Sequence, residues 1–105
     1  MSAYLIATIE TKPGGMDTLV ATIAELIPIL ETKGWKLAGA YTLRTGQLGT
    51  VIDVWEMPDF NGMNTGMAAI AQSAGFPRIQ KALQDCIARE TLVLADKLEY
   101  PVDRG

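Results

Sequence analysis

The sequence predicts an α+β domain of order β-α-β-β-α-β with a four-stranded antiparallel sheet. Three observations carry that prediction. Residues 3–11 alternate their side chains and stop at Pro13-Gly14-Gly15. An amphipathic run follows with apolar residues three and four apart, the spacing of one helix face. Two stretches rich in β-formers, 35–44 and 50–57, then flank a turn marked by Gly46. Such a unit covers one face of its sheet with helices and leaves the other bare.

In the first strand Tyr4, Ile6, Thr8 and Glu10 share one face, and Leu5, Ala7 and Ile9 share the other. Both faces are largely apolar, as expected of a central strand buried on both sides. In the first helix Met16, Leu19, Val20, Ile23, Leu26, Ile27 and Leu30 form the inner stripe. Asp17, Thr18, Thr22 and Glu25 lie opposite, and Asp17 suits the positive end of the helix dipole. Pro28 falls inside this pattern and predicts a kink or a break. Lys33-Gly34 reads as the helix end, with glycine in the left-handed position.

The turn at 45–49 leaves the hairpin register open. A two-residue turn at Gly46-Gln47 sets Tyr41 opposite Ile52, whereas a three-residue loop sets it opposite Asp53. Met57-Pro58-Asp59 ends the third strand. A soft helical stretch at 59–71 follows, interrupted at 73–76, and Pro77 suits the first turn of a new helix. Ile79, Leu83, Cys86 and Ile87 make its inner stripe, with Lys81–Asp85 and Asp85–Arg89 as pairs on the solvent side. The last strand is placed at 91–99 and a polar tail at 100–105.

Composition narrows the function. The chain of 105 residues reads as one domain, 1–105, with room for a single core. A net charge of −3 gives no electrostatic footprint for nucleic acid or for an anionic membrane. Met1–Thr11 lacks the basic start of a signal peptide, and no apolar run approaches the roughly 18 residues of a membrane span. A lone cysteine cannot form an internal disulfide, so a cytoplasmic setting is expected. The chain has no histidine. That removes imidazole base chemistry, His-ligated haem and most catalytic zinc sites, so neither a metal nor another cofactor is expected.

With the element order in place, Thr8–Gly14, Leu37-Ala38-Gly39-Ala40-Tyr41 with Thr45-Gly46, and Val51-Ile52-Asp53-Val54-Trp55-Glu56 resemble NIPSNAP-type proteins of the dimeric α/β-barrel superfamily. The chain departs from that family on the first strand. Leu5, Ala7 and Ile9 stand where a charged Glu-x-Arg-x-Tyr pattern is common. The resemblance implies a ferredoxin-like protomer whose sheets pack face to face as a homodimer, lining an apolar cavity. Relatives in that superfamily include cofactor-free monooxygenases, dehydratases and isomerases, and the haem-using branches bind iron through histidine.

Among the residues, Asp53 is the sharpest candidate for chemistry. It interrupts an apolar strand, and burying a bare carboxylate costs several kcal/mol unless it is paired or neutralised. It reads either as an acid/base with a raised pKa or as a paired or solvated residue near the sheet rim, bonded to a Lys, Arg or Tyr. Tyr41 is its candidate catalytic companion. Tyr4 and Trp55 offer a phenol and an indole to a ligand, and Met57, Phe60 and Met67 offer an adaptable wall. Two readings of function result: conversion or binding of a small apolar molecule in the cavity, or a non-catalytic dimer that serves assembly. In both, the first partner is a second copy of the chain.

Overall fold

The computed structural model describes residues 3–103. The elements are β1 (Ala3–Thr11), α1 (Met16–Glu31), β2 (Lys36–Thr42), β3 (Thr50–Met57), α2 (Gly62–Ala71), α3 (Phe76–Cys86) and β4 (Ile87–Ala95). The four strands form one antiparallel sheet of order β2-β3-β1-β4, the ferredoxin-like arrangement. The second helical stretch is split in two, because 72–75 breaks it before Pro77 starts α3. The helices lie on one face, against the row Ala3, Leu5, Ala7 and Ile9 of β1. No helix among the described residues is long and apolar enough to cross a membrane.

The alternation read for the first strand holds in β1. Ala3, Leu5, Ala7 and Ile9 are all buried, and the alternate residues Tyr4, Ile6 and Thr8 are half-buried on the bare face. The end of α1 also follows its sequence signal. Gly34 has φ +81°. Trp35 N donates to Leu30 O at 3.2 Å and Gly34 N to Glu31 O at 3.1 Å, the paired bonds of a Schellman stop.

Three expectations need correction. Pro28 does not break α1, which runs unbroken for 16 residues. The acceptor that loses its partner is the carbonyl of Ala24, an exposed residue, so water can take its place. Thr22, assigned to the solvent side, is buried, and its hydroxyl is satisfied by Thr18 O at 2.7 Å. The α3–β4 junction also comes earlier than expected. Ile87 and Arg89 belong to the strand, and Arg89 faces Glu10 at 3.6 Å rather than Asp85, which pairs with Lys81 at 3.0 Å.

The hairpin takes the first of the two registers, Tyr41 opposite Ile52, and carries a bulge farther from the loop. Leu37 pairs with Trp55, but Gly39 pairs with Val54, so Ala38 is the extra residue. One inserted residue inverts the facing of everything beyond it. Ala40 lies opposite Asp53. The Tyr41 phenol folds over Gly39, where a Cβ would sit 2.8 Å from its hydroxyl oxygen.

Candidate functional site

The helix-facing row of β3 and its neighbours sets up a hollow. Paired across β1 and β3 are Ala3 with Met57, Leu5 with Trp55 and Ala7 with Asp53. At the Met57 and Trp55 positions large side chains fill the space beneath α1 and α2. Trp35 packs edge-to-face on Trp55, centroids 5.7 Å apart at 65°, and its Nε1 donates to Gly62 O at 3.0 Å. At the next pair the side chains are short, a methyl and a carboxylate. An apolar cavity of about 300 Å³ opens there between the sheet and α1, α2 and α3.

Each wall of the cavity follows from a helical or strand repeat. Ile23, Leu26 and Leu30 come from one face of α1, and Ile79 and Leu83 from one face of α3. Met67 and Ile70 come from α2. The sheet supplies Leu5, Ala7, Ile9, Trp55 and Asp53, with Glu90 and Leu92 from β4. The edge strand β4 is poorly covered: Leu92 and Leu94, which face the helix side, are 42% and 51% exposed. The cavity is thus closed towards the tryptophan pair, while Glu90 and Leu92 border it on the exposed edge strand.

Asp53 is the polar centre of this space. It is 2% exposed, and no hydrogen bond or ion pair among the described residues reaches its carboxylate. Burial alone pushes its pKa above the ordinary 3.8. Glu90, at the outer side of the cavity, also titrates above its ordinary value, first through its crowded surroundings and then through the charge of Asp53. No lysine or arginine lines the cavity. The reading of Asp53 as the partner of a Lys, Arg or Tyr therefore finds no such partner.

The other candidates separate cleanly. Trp55 and Met67 line the cavity. Met57 is 1% exposed and is packed under Gly62, while Phe60 supports the same core from outside; neither borders the cavity. Tyr41 lies on the bare face, 61% exposed and turned away from Asp53, so the expected Asp53–Tyr41 pair is not assembled within the chain. The physical reason is the register, which pairs Tyr41 with Ile52 and gives the place opposite Asp53 to Ala40. Tyr4 is also on the bare face, where its hydroxyl donates to Glu56 Oε2 at 2.8 Å, a bond that holds the phenol proton and raises its pKa.

Sequence reasoning missed Glu90, Gln80 and Gln84, all of which border the cavity. Gln80 and Gln84 are one helical turn apart beside the Ile79–Leu83 stripe, a signal that was available. Glu90 enters through the pairing of Ile9 with Glu90, which only the folded sheet defines. Cys86 is buried and its thiol pKa is pushed up by burial, as expected of an inert core cysteine. Among the described residues no group of three or more Cys, Asp or Glu side chains gathers at metal-binding spacing.

Comparison with known proteins fits this architecture. The chain aligns over 98% of its length with all of a NIPSNAP family protein from Agrobacterium tumefaciens, at a TM-score of 0.80 and 16% identity. It aligns over 97% of its length with 90% of an uncharacterized NIPSNAP-like domain protein from Burkholderia xenovorans, at 0.77 and 16%. An antibiotic biosynthesis monooxygenase is matched over 92% of this chain and 99% of that one, at 0.67 and 19%. At such identities the likeness is one of fold. No curated protein matches the sequence. The family model for NIPSNAP, however, matches residues 4–96, nearly the whole domain. The chain belongs to the NIPSNAP family.

Proposed function

We propose that this NIPSNAP chain binds, and can convert, a small apolar molecule in the cavity between its sheet and helices, with Asp53 as the group that exchanges a proton. One observation carries the reading: a carboxylate 2% exposed, without a partner, borders an otherwise apolar cavity. A folded protein does not leave such a group unpaired without cost, and ligand polarity is the natural compensation. Burial raises the Asp53 pKa, which moves a carboxyl toward the range where it can give and take a proton near neutrality. Asp53→Asn keeps the shape but cannot exchange a proton. It should therefore abolish conversion of any turned-over ligand while the circular dichroism spectrum stays native. Unchanged turnover in that variant would refute the acid/base role.

The working form is a homodimer, and a second reading, an assembly dimer without catalysis, rests on the same surface. The bare sheet face presents Ile6, Ile52 and Val54, with Val93 48% exposed beside them. The segment after β4 adds Leu98, Tyr100 and Val102, all more than half exposed. A second copy of the chain would cover this surface, and an obligate interface of that kind buries on the order of 2,000 Å² or more. Sedimentation should show a dimer at micromolar concentration, and a pure monomer would refute it. The buried single thiol, Cys86, is in keeping with a cytoplasmic setting.

A further inference from the structure

We infer that the cavity's ligand is an apolar molecule carrying a protonated amine, whose nitrogen bonds to Asp53 while Glu90 supplies a second negative charge on the outer side. This rests on the cavity reading above and names the chemical class of its ligand.

The argument begins with charge. The cavity lining holds two carboxyl groups, Asp53 and Glu90, and no lysine or arginine. The cations on the surrounding elements are engaged elsewhere. Arg78 of α3 is paired with Glu25 of α1 at 2.7 Å, Lys81 with Asp85 at 3.0 Å, and Arg89 of β4 with Glu10 of β1 at 3.6 Å. Lys12, just after β1, donates to the backbone of Gln84 at 3.2 Å. An anionic ligand would enter a negative, poorly solvated space and be repelled. A neutral ligand would leave Asp53 neutralised by its own proton. A cation alone supplies the charge the lining lacks, and in an apolar setting a charge-assisted bond is about twice as strong as a neutral one.

Geometry supports the same class. Asp53 pairs with Ala7 from β3 and Glu90 with Ile9 from β4, so the two carboxyls flank β1, two strand spacings of ~4.8 Å apart across the sheet and two residues apart along it. The deep carboxylate sits beside Ala7 and close to Trp55, where a ligand's polar end would be held. The hydrocarbon walls of α1 and α3 then take an apolar body. Gln80 and Gln84, exposed residues at the cavity's border, add amide groups that can hydrogen-bond a polar atom of the ligand there.

Proton linkage makes the class distinguishable. Both carboxyls titrate above their ordinary values in the empty protein. An amine needs them ionised, so its affinity should rise as pH passes upward through their raised values, while an alkyl ammonium keeps its own proton. A ligand that accepts a hydrogen bond from a protonated Asp53 would show the opposite slope.

The experiment compares phenylbutylamine, phenylbutanol and phenylbutyrate by isothermal titration calorimetry on the intact chain, its Asp53→Asn variant and its Glu90→Gln variant. The amine should bind about tenfold tighter than the alcohol, with the carboxylate weakest. Asp53→Asn should erase the amine's advantage over the alcohol, and Glu90→Gln should reduce that advantage by less. Equal or tighter binding of the alcohol overturns the inference and leaves the cavity reading standing. An amine preference that survives Asp53→Asn, or an amine affinity that falls with pH, also overturns it. If none of the three probes binds, the cavity reading falls together with the inference.

Discussion

Two neighbouring regions under the same helices are built in opposite ways. At one, Trp35, Trp55, Met57 and Leu30 fill the space between sheet and helices, and the polar edge of Trp35 is satisfied by Gly62. At the other, Ala7 and Asp53 leave a hollow, and the carboxylate has no partner. The filled region has what stability requires: large side chains in contact and no unmet polar group. The hollow region is walled by large apolar side chains that leave a space around an unmet carboxylate, and it borders an edge strand that leaves Glu90 and Leu92 exposed. The contrast sets a packed region and a hollow side by side in one layer.

The largest effect should come from emptying the filled region. Trp35→Ala removes the edge-to-face partner of Trp55 and the bond to Gly62. It should cost about 3–5 kcal/mol in urea denaturation. A cost below that of an ordinary surface change would mean the filled region is not what holds the fold.

Next comes overpacking of the same region. Gly66 lies directly against Trp35, and a Cβ there would collide with the Trp35 indole. Gly66→Ala gains helix propensity yet should still lower stability by about 1–3 kcal/mol, read as a lower melting temperature. A higher melting temperature would show that α2 has slack against the indole.

The smallest effect, with the opposite sign, should come from the hollow. The folded-state pKa of Asp53 is raised above the unfolded value near 3.8, so its contribution to stability is fully present below that pH. It is lost as pH rises through the raised folded value. Asp53→Asn should therefore flatten this part of the stability–pH curve and raise stability at neutral pH by about 1 kcal/mol, toward the low end of the penalty for an unmet buried group. A loss of stability at neutral pH would instead reveal a partner that the carboxylate is holding.

Much of the frame was legible in the sequence because it rests on local rules. The alternation of β1, glycine at the end of α1 and proline at the start of α3 each depend on a few adjacent residues. The facing of Tyr41 was legible only as one of two registers, because the choice between them is decided by pairing between strands. The α3–β4 junction was misplaced because Ile87 and Arg89 fit a helical repeat as well as they fit a strand. Asp53 stood out as a charge in an apolar run. Glu90, its neighbour across the cavity, did not, since its facing comes only from pairing with Ile9. Trp55 and Met67 were found among the candidates that line the cavity, while Tyr4, Met57 and Phe60 lie elsewhere for reasons of strand parity and packing.

The central claim is that Asp53 is an unpaired acid bordering an apolar cavity, held there for a ligand. Its most direct test is an NMR titration of the Asp53 carboxyl carbon in the ligand-free protein. The account predicts a midpoint above the ordinary 3.8, because burial without a partner disfavours the charged form. A midpoint at or below 3.8 would mean that a cation or hydrogen-bond donors already satisfy the carboxylate, and would contradict the account.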